Sequence, residues 1–330
     1  MHKIYNCYTS LDKYGGAELI ALSLTNKLFF ENYNSELLLL NNNHNVNTQY
    51  KLNDITISYI TILKVSSFTN DDIILSHHRK CTTILILLKI CLFKKFKIIH
   101  IAHNEFFNLR FLSIFPTHIV AVSNRVKENL INYFKVDSKK VNVIYNGIDD
   151  VAFEYEIQKS NEIKILYPAR ITNVKQQIEI VEQLCNKIMP HITIYFAGEG
   201  ENVDDLCSLL KDYSQFKYIG YINIHEHISN FDYVMLFSKV EGLPTVLLEA
   251  CMYSKPIICN NVGGNIEILE NGKNGFLAND FMALIQIINN LPNNTTFEYR
   301  SMAKYARKVY ENKFTISKMI DNYTKYLYDV

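Results

Sequence analysis

The chain has 330 residues, 48% hydrophobic and 20% charged, with a formal net charge of +1. That length exceeds one ordinary core and suits two domains. The composition excludes a disordered chain, and the near-neutral charge gives no global case for nucleic-acid binding. Residues 1–155 carry 17 Lys/Arg against 13 Asp/Glu, and residues 156–330 carry 17 against 20. Ordinary scatter accounts for this asymmetry as well as a first half that meets an anionic membrane or acceptor.

Lys3–Tyr8 reads as the first strand, and no signal-peptide pattern precedes it. Ala17, Ile20, Ala21, Leu24 and Leu28 then recur at the spacing of one helical face. Strands are expected at Ser35–Leu40, Ile55–Ile60, Asp72–Ser76, Lys97–Ala102, His118–Val122 and Asn142–Tyr145, with a capped helix at Asn124–Phe134. The longest apolar run, Thr82–Phe93, is interrupted by Lys89 and is too short to cross a bilayer.

Around Asp149–Lys159 the pattern lapses, which places a domain boundary between residues 155 and 156. The alternation restarts with strand Ile163–Pro168, helix Lys175–Lys187, strand Ile192–Ala197, helix Asn202–Tyr213 and strand Lys217–Ile219. Strand Tyr233–Ser238, helix Pro244–Tyr253 and strand Pro256–Cys259 follow, then helical stretches to the end. The last helix, about Ile316–Tyr328, has no strand after it and is expected to pack back on the first domain. Short apolar runs alternating with amphipathic helices predict an α/β fold of two Rossmann-like, doubly wound domains facing an interdomain cleft. Residues 1–155 are expected to form one domain and residues 156–315 the other. Seven scattered cysteines with no Cys-x-x-Cys pair read as reduced core residues of a cytoplasmic protein.

Five loops at strand C-terminal ends carry the candidate chemistry. In Glu241-Gly242-Leu243-Pro244-Thr245, Pro244 suits a first helical turn. The amides after it form an anion site suited to a diphosphate. Glu249, one turn further, would accept hydrogen bonds from a ribose diol, and Glu241 would grip a sugar hydroxyl; a helix with a Gly-Pro turn before it and two incidental acids is the alternative. Arg170 and Lys175 leave strand Ile163–Pro168, where a fork and a point charge would meet a pyrophosphate; a solvated basic loop is the simpler account of that segment alone. Gly15 and Gly16 open the first helix and allow close backbone approach to a phosphate, as a plain turn would also require. Gly198-Glu199-Gly200 lacks the third glycine of a dinucleotide fingerprint. Gly263-Gly264-Asn265 opens another helix start. His103 ends strand Lys97–Ala102, where a core residue and an active-site residue weigh about equally. His77 and His78 are expected to line an acceptor pocket. No metal-ligand spacing and no Asp-x-Asp segment occur, so metal-independent charge neutralisation is expected.

These residues resemble glycosyltransferase family 4, the retaining family of GT-B fold also described as glycosyl transferases group 1. The resemblance rests on Glu241 and Glu249 in Glu-x7-Glu spacing, with Gly15-Gly16-Ala17-Glu18, Arg170 with Lys175, Gly198-Glu199-Gly200 and Gly263-Gly264-Asn265 in support. It implies donor phosphates near Gly16, His103 near the donor sugar, and Arg170 with Lys175 on the diphosphate. It further implies Glu241 on the transferred sugar, Glu249 on the ribose, and backbone near Tyr218–Tyr221 beside the nucleobase. Two departures are Gln176, where the family often has glycine, and Ala169 before the Arg.

The implied activity is sugar transfer, with retention, from a UDP- or GDP-sugar to a glycan or lipid-linked acceptor in bacterial surface polysaccharide or lipopolysaccharide biosynthesis. A sugar-nucleotide epimerase and a catalytically silent partner subunit are the alternatives. No cofactor, metal or nucleic-acid partner is expected. The basic and aromatic run Lys89–Lys97 is most simply a helix end with solvated lysines. In such transferases a patch of this kind often touches the cytoplasmic face of the inner membrane.

Overall fold

The computed structural model describes residues 3–12, 15–30, 34–41, 47, 55–152 and 161–330. The chain forms two compact units, residues 1–147 with 316–330 and residues 148–315. The boundary expected between residues 155 and 156 falls outside the described residues.

The first unit is a seven-stranded parallel sheet of β1 (Lys3–Tyr8), β2 (Asn34–Leu39), β3 (Ile57–Tyr59), β4 (Ile73–Ser76), β5 (Lys97–Ala102), β6 (His118–Ala121) and β7 (Val141–Val143), in the order β3-β2-β1-β4-β5-β6-β7. Its helices so far are α1 (Gly16–Phe30), α2 (Ile62–Ser66), α3 (Arg79–Cys91) and α4 (Asn124–Asn132). Side chains alternate across the sheet with the strand period. Leu38 packs with Val65, Cys81, Leu85 and Phe96, whereas Leu37 and Leu39 pack with Leu11, Ala21 and Leu22. Each fully buried leucine of this kind contributes about 2 kcal/mol. Only a helix end at Lys89–Lys97 was expected near Thr82–Phe93, most of which is α3. Its Thr, Ile and Leu residues fit a strand or a helix equally by periodicity.

The second unit repeats the design with β8 (Ile163–Pro168), β9 (Ile192–Ala197), β10 (Phe216–Tyr218), β11 (Tyr233–Leu236), β12 (Ile257–Cys259) and β13 (Gly275–Leu277), in the order β10-β9-β8-β11-β12-β13. Its helices are α5 (Gln177–Leu184), α6 (Val203–Leu210), α7 (Ile224–His227), α8 (Thr245–Met252), α9 (Asn265–Ile268), α10 (Phe281–Asn289) and α11 (Phe297–Lys313). All described pairings are parallel, and every residue of β11 and β12 is buried, as a sheet covered on both faces requires. Strand β13 was not anticipated. It lies so close to β12 that a Cβ on Gly275 would stand 1.9 Å from the Ile257 carbonyl oxygen.

The chain enters and leaves this unit side by side, with the Ile148 N–H donating to the Phe314 carbonyl at 3.0 Å. The last helix, α12 (Ile316–Asp329), belongs to the first unit. It contacts α1 and buries Met319, Ile320, Tyr323 and Leu327, and the Met319 sulfur accepts the Gly147 N–H at 3.2 Å. All seven cysteines are free. Cys7, Cys81, Cys251 and Cys259 are core residues, but Cys91 is exposed at the end of α3.

Candidate active site

In the second unit the strand order reverses between β8 and β11. Loops leaving such neighbours diverge and open the crevice where doubly wound sheets take ligands. Tyr167, near the end of β8, ties the two loops together from below. Its buried hydroxyl donates to the Lys175 carbonyl (2.6 Å), with the Phe237 carbonyl at 2.9 Å, and accepts the Phe237 N–H at 3.0 Å. Burial holds that phenol well above its ordinary pKa, so it stays protonated and can donate.

Above this tie the Lys175 ammonium pairs with the Glu241 carboxylate, which is only 6% exposed. The Ser238 hydroxyl donates to the same Glu241 oxygen at 2.6 Å. Ser238 is itself held from β12's loop, since the Asn260 amide donates to its carbonyl at 2.7 Å and Asn265 donates to the Asn260 carbonyl at 3.1 Å. The Gly264 N–H donates to the Gly242 carbonyl at 2.6 Å. Gly263 sits at φ +54, where a Cβ would stand 2.3 Å from the Glu241 carbonyl oxygen. Only glycine lets the β12 loop approach the β11 loop this closely. Gly198 plays the same part on the other side, at φ +139 with a Cβ position 2.2 Å from the Ala169 oxygen.

Four loops of this unit, after β8, β9, β11 and β12, are therefore knit by backbone contacts. Gln176 stands between Lys175 and α5 in the left-handed region at φ 55, and its amide donates to the Phe237 carbonyl at 3.2 Å. A glycine would adopt that conformation without strain, so the departure from the family pattern has a local cost and a local tether.

Pro244 was expected inside the first turn of its helix. It stands one residue earlier, as the cap, and the first helical amides are those of Thr245 and Val246. Leu243 is buried beneath this turn. Glu249 lies one turn along α8, where burial pushes its carboxyl up to about 8. No hydrogen bond to that carboxyl occurs among the described residues. Arg170 follows β8, and its side chain is exposed and makes no ion pair among the described residues. Lys175 and Glu241 are thus brought together, whereas the Arg170 and Glu249 side chains make no bond to them among the described residues. The Tyr218 hydroxyl donates to the Gly198 carbonyl at 2.9 Å, and the Gly198 N–H donates to the Gly220 carbonyl at 2.9 Å.

Gly15, Gly16 and His103 belong to the first unit. Gly16 opens α1, and a Cβ on Gly15 would stand 2.5 Å from a Glu18 carboxylate oxygen. His103 is 9% exposed just beyond β5, and burial lowers its pKa to about 4. His77 was expected to line an acceptor pocket. It is buried, with Nδ1 2.9 Å from His103 Nε2 and Nε2 3.0 Å from Asn6 Oδ1. His78 caps α3 by accepting the Lys80 N–H at 3.2 Å. Tyr167, Ser238, Asn260 and Asn6 escaped the sequence reading. Each sits within or next to an apolar run, and at least one partner of each comes from a segment that only the fold makes adjacent.

The sequence profile described as Glycosyl transferases group 1 matches residues 151–309, and that described as Glycosyltransferase Family 4 matches residues 51–151. The O-antigen biosynthesis glycosyltransferase WbnH of Escherichia coli is 25% identical over 169 residues, covering 51% of this chain and 48% of that protein. The UDP-Gal:alpha-D-GlcNAc-diphosphoundecaprenol alpha-1,3-galactosyltransferase of Escherichia coli is 26% identical over 227 residues, covering 62% of this chain and 58% of that one. The chain thus spans about half the length of these curated relatives. Anabaena Alr3699/HepE, solved in complex with UDP, superposes with a TM-score of 0.84 at 19% identity, covering 99% of this chain and 100% of that chain. That likeness establishes the shared fold.

Proposed function

Because this chain belongs to glycosyltransferase family 4, we propose that it transfers a hexose from a nucleoside-diphosphate sugar, a UDP- or GDP-sugar, to a glycan or lipid-linked glycan acceptor. The setting is surface polysaccharide or lipopolysaccharide assembly in a bacterium, with retention of anomeric configuration. The observation that carries the reading is the Lys175–Glu241–Ser238 cluster at the strand-order reversal, beside the start of α8. The names of the O-antigen and galactosyl transferases above support the class of donor and acceptor.

On this reading the bond between the anomeric carbon and the diphosphate breaks, and negative charge grows on the leaving diphosphate. Lys175, Arg170 and the Thr245 and Val246 amides neutralise that charge, without a metal. Glu241 is held acceptor-ready by Lys175 and Ser238, and it takes a hydroxyl of the transferred sugar. Glu249 takes the ribose diol, and the Gly15–Gly16 start of α1 serves the donor phosphates. The cytoplasmic face of the inner membrane is the proposed workplace. Support comes from α2, where Leu63 is 83% exposed, and from the segment after α3, where Phe93 is 92% exposed beside Lys94 and Lys95. No helix among the described residues is long and apolar enough to cross a membrane, so contact would be peripheral.

Incubation with a panel of nucleotide sugars, reading release of UDP or GDP and the anomer of any product, tests the proposal. Slow donor hydrolysis or transfer is the expected result. No release and no nucleotide binding by calorimetry would sink the reading, and an inverted product would remove retention from it. Full activity in excess chelator is expected from the metal-free mechanism.

A further inference from the structure

Three neighbouring strands of the first unit carry one continuous hydrogen-bonded line. Asn6 on β1, His77 beyond β4 and His103 beyond β5 are all at least nine-tenths buried. The two imidazoles meet nitrogen to nitrogen at 2.9 Å, with centroids 5.1 Å apart and planes inclined by 17°. That separation is the contact plus two ring radii, so the rings lie edge to edge and nearly coplanar, as an in-plane N–H···N bond requires.

Proton bookkeeping then runs in one direction. The Asn6 amide directs its NH2 toward the Ser35 hydroxyl at 3.4 Å, leaving Oδ1, an acceptor only, 3.0 Å from His77 Nε2. His77 Nε2 therefore carries the proton. Desolvation keeps His77 neutral, so its Nδ1 is a bare acceptor and His103 Nε2 must donate to it. His103 is neutral for the same reason. Its remaining nitrogen, Nδ1, is then a lone pair, buried and without a hydrogen-bond partner among the described residues. A buried acceptor of this kind costs about 1–3 kcal/mol unless a donor reaches it.

We infer that Asn6 and His77 are positioning residues that lock His103 in its Nε2–H tautomer, so that His103 Nδ1 meets the substrate as a pure acceptor for one sugar hydroxyl. The identity of that hydroxyl's owner rests on the glycosyltransferase reading, whereas the tautomer rests on the relay alone. A sugar donor lacking the hydroxyl leaves Nδ1 unpaired and is discriminated against.

The experiment is nitrogen NMR on the full chain labelled with 15N-histidine, combined with donor kinetics. Wild-type His103 is expected to show a protonated Nε2 and an unprotonated Nδ1 across neutral pH. His77→Leu removes the acceptor. The His103 signals should then report mixed tautomers, and kcat/KM should fall ~10–100-fold, the size of loss known for metal-bound histidines deprived of their outer partner. Nucleoside-diphosphate affinity should stay unchanged. His77→Gln, whose amide oxygen accepts the same proton, should restore the single tautomer and most of the rate. A wild-type His103 protonated at Nδ1, or a His77→Leu variant with wild-type tautomer and kinetics, overturns the inference. A wild type that turns over no nucleotide sugar overturns the glycosyltransferase reading instead, and the NMR result still decides the relay.

Discussion

Lys175 shows how far a charged residue can be read from its neighbours in sequence. Its place after a strand made it a diphosphate candidate, yet its observed partner is Glu241, 66 positions away. Partly buried pairs are costly to break on one side, because the survivor keeps its desolvation penalty. Lys175→Ala is therefore expected to lower stability by ~2–3 kcal/mol as well as turnover. The double variant Lys175→Met with Glu241→Gln should recover most of the stability and none of the turnover. Denaturant midpoints and donor kinetics check both halves.

Gln176 offers a cleaner comparison. Gln176→Gly and Gln176→Ala both lose the bond to Phe237, but only alanine keeps the left-handed strain, so alanine should be less stable by ~1 kcal/mol. Glu249 gives a pH signature. Its folded-state pKa, about 8, stands above the ordinary carboxylate value. Its contribution to stability is present below the ordinary carboxylate range and is lost as pH rises through about 8. Melting temperature should fall as pH rises from about 5 to about 8 and fall less in Glu249→Gln; equal slopes would show that burial does not govern this carboxyl.

At the scale of elements, most strands and long helices were legible because their apolar runs and stripes are local properties. Helix α3 showed only its end near Lys89, since β-branched residues blur the two periods, and β13 was not legible, since a three-residue strand that opens on a glycine carries too little pattern. The knitting of the loops was illegible for another reason. Gly263 and Gly198 read as ordinary turn residues, and their real constraint is another loop's carbonyl at the position a Cβ would take. Gly263→Ala must move the β11 loop that carries Glu241. It should cost ~2 kcal/mol or more and weaken donor binding along with stability. An unchanged donor Kd in a folded variant would show that the β12 loop does not set the position of Glu241.

At the scale of the molecule, composition and alternation established two parallel α/β units, but neither the strand order nor the pairing register is written locally. The order matters because it puts β8 beside β11, which converts two ordinary loops into one site. Hydrogen exchange with saturating UDP or GDP should therefore show its largest protection in residues 169–176 and 237–246. Protection confined to α10 or α11 would place the donor elsewhere. Co-sedimentation should rise with the anionic lipid content of vesicles and fall in a Phe93→Ser, Lys95→Glu variant.

The return of α12 to the first unit gives synthesis an unusual schedule. A ribosome emits the chain from its N-terminus, and a contiguous domain can fold as soon as it clears the exit tunnel. Here the unit begun first is completed last, because it waits for residues 316–330, while the unit begun second is contiguous and finished earlier. Until then the part of α1 that α12 covers has no cover. A chain cut after residue 315 would keep every residue of its second unit and lose α12 from its first.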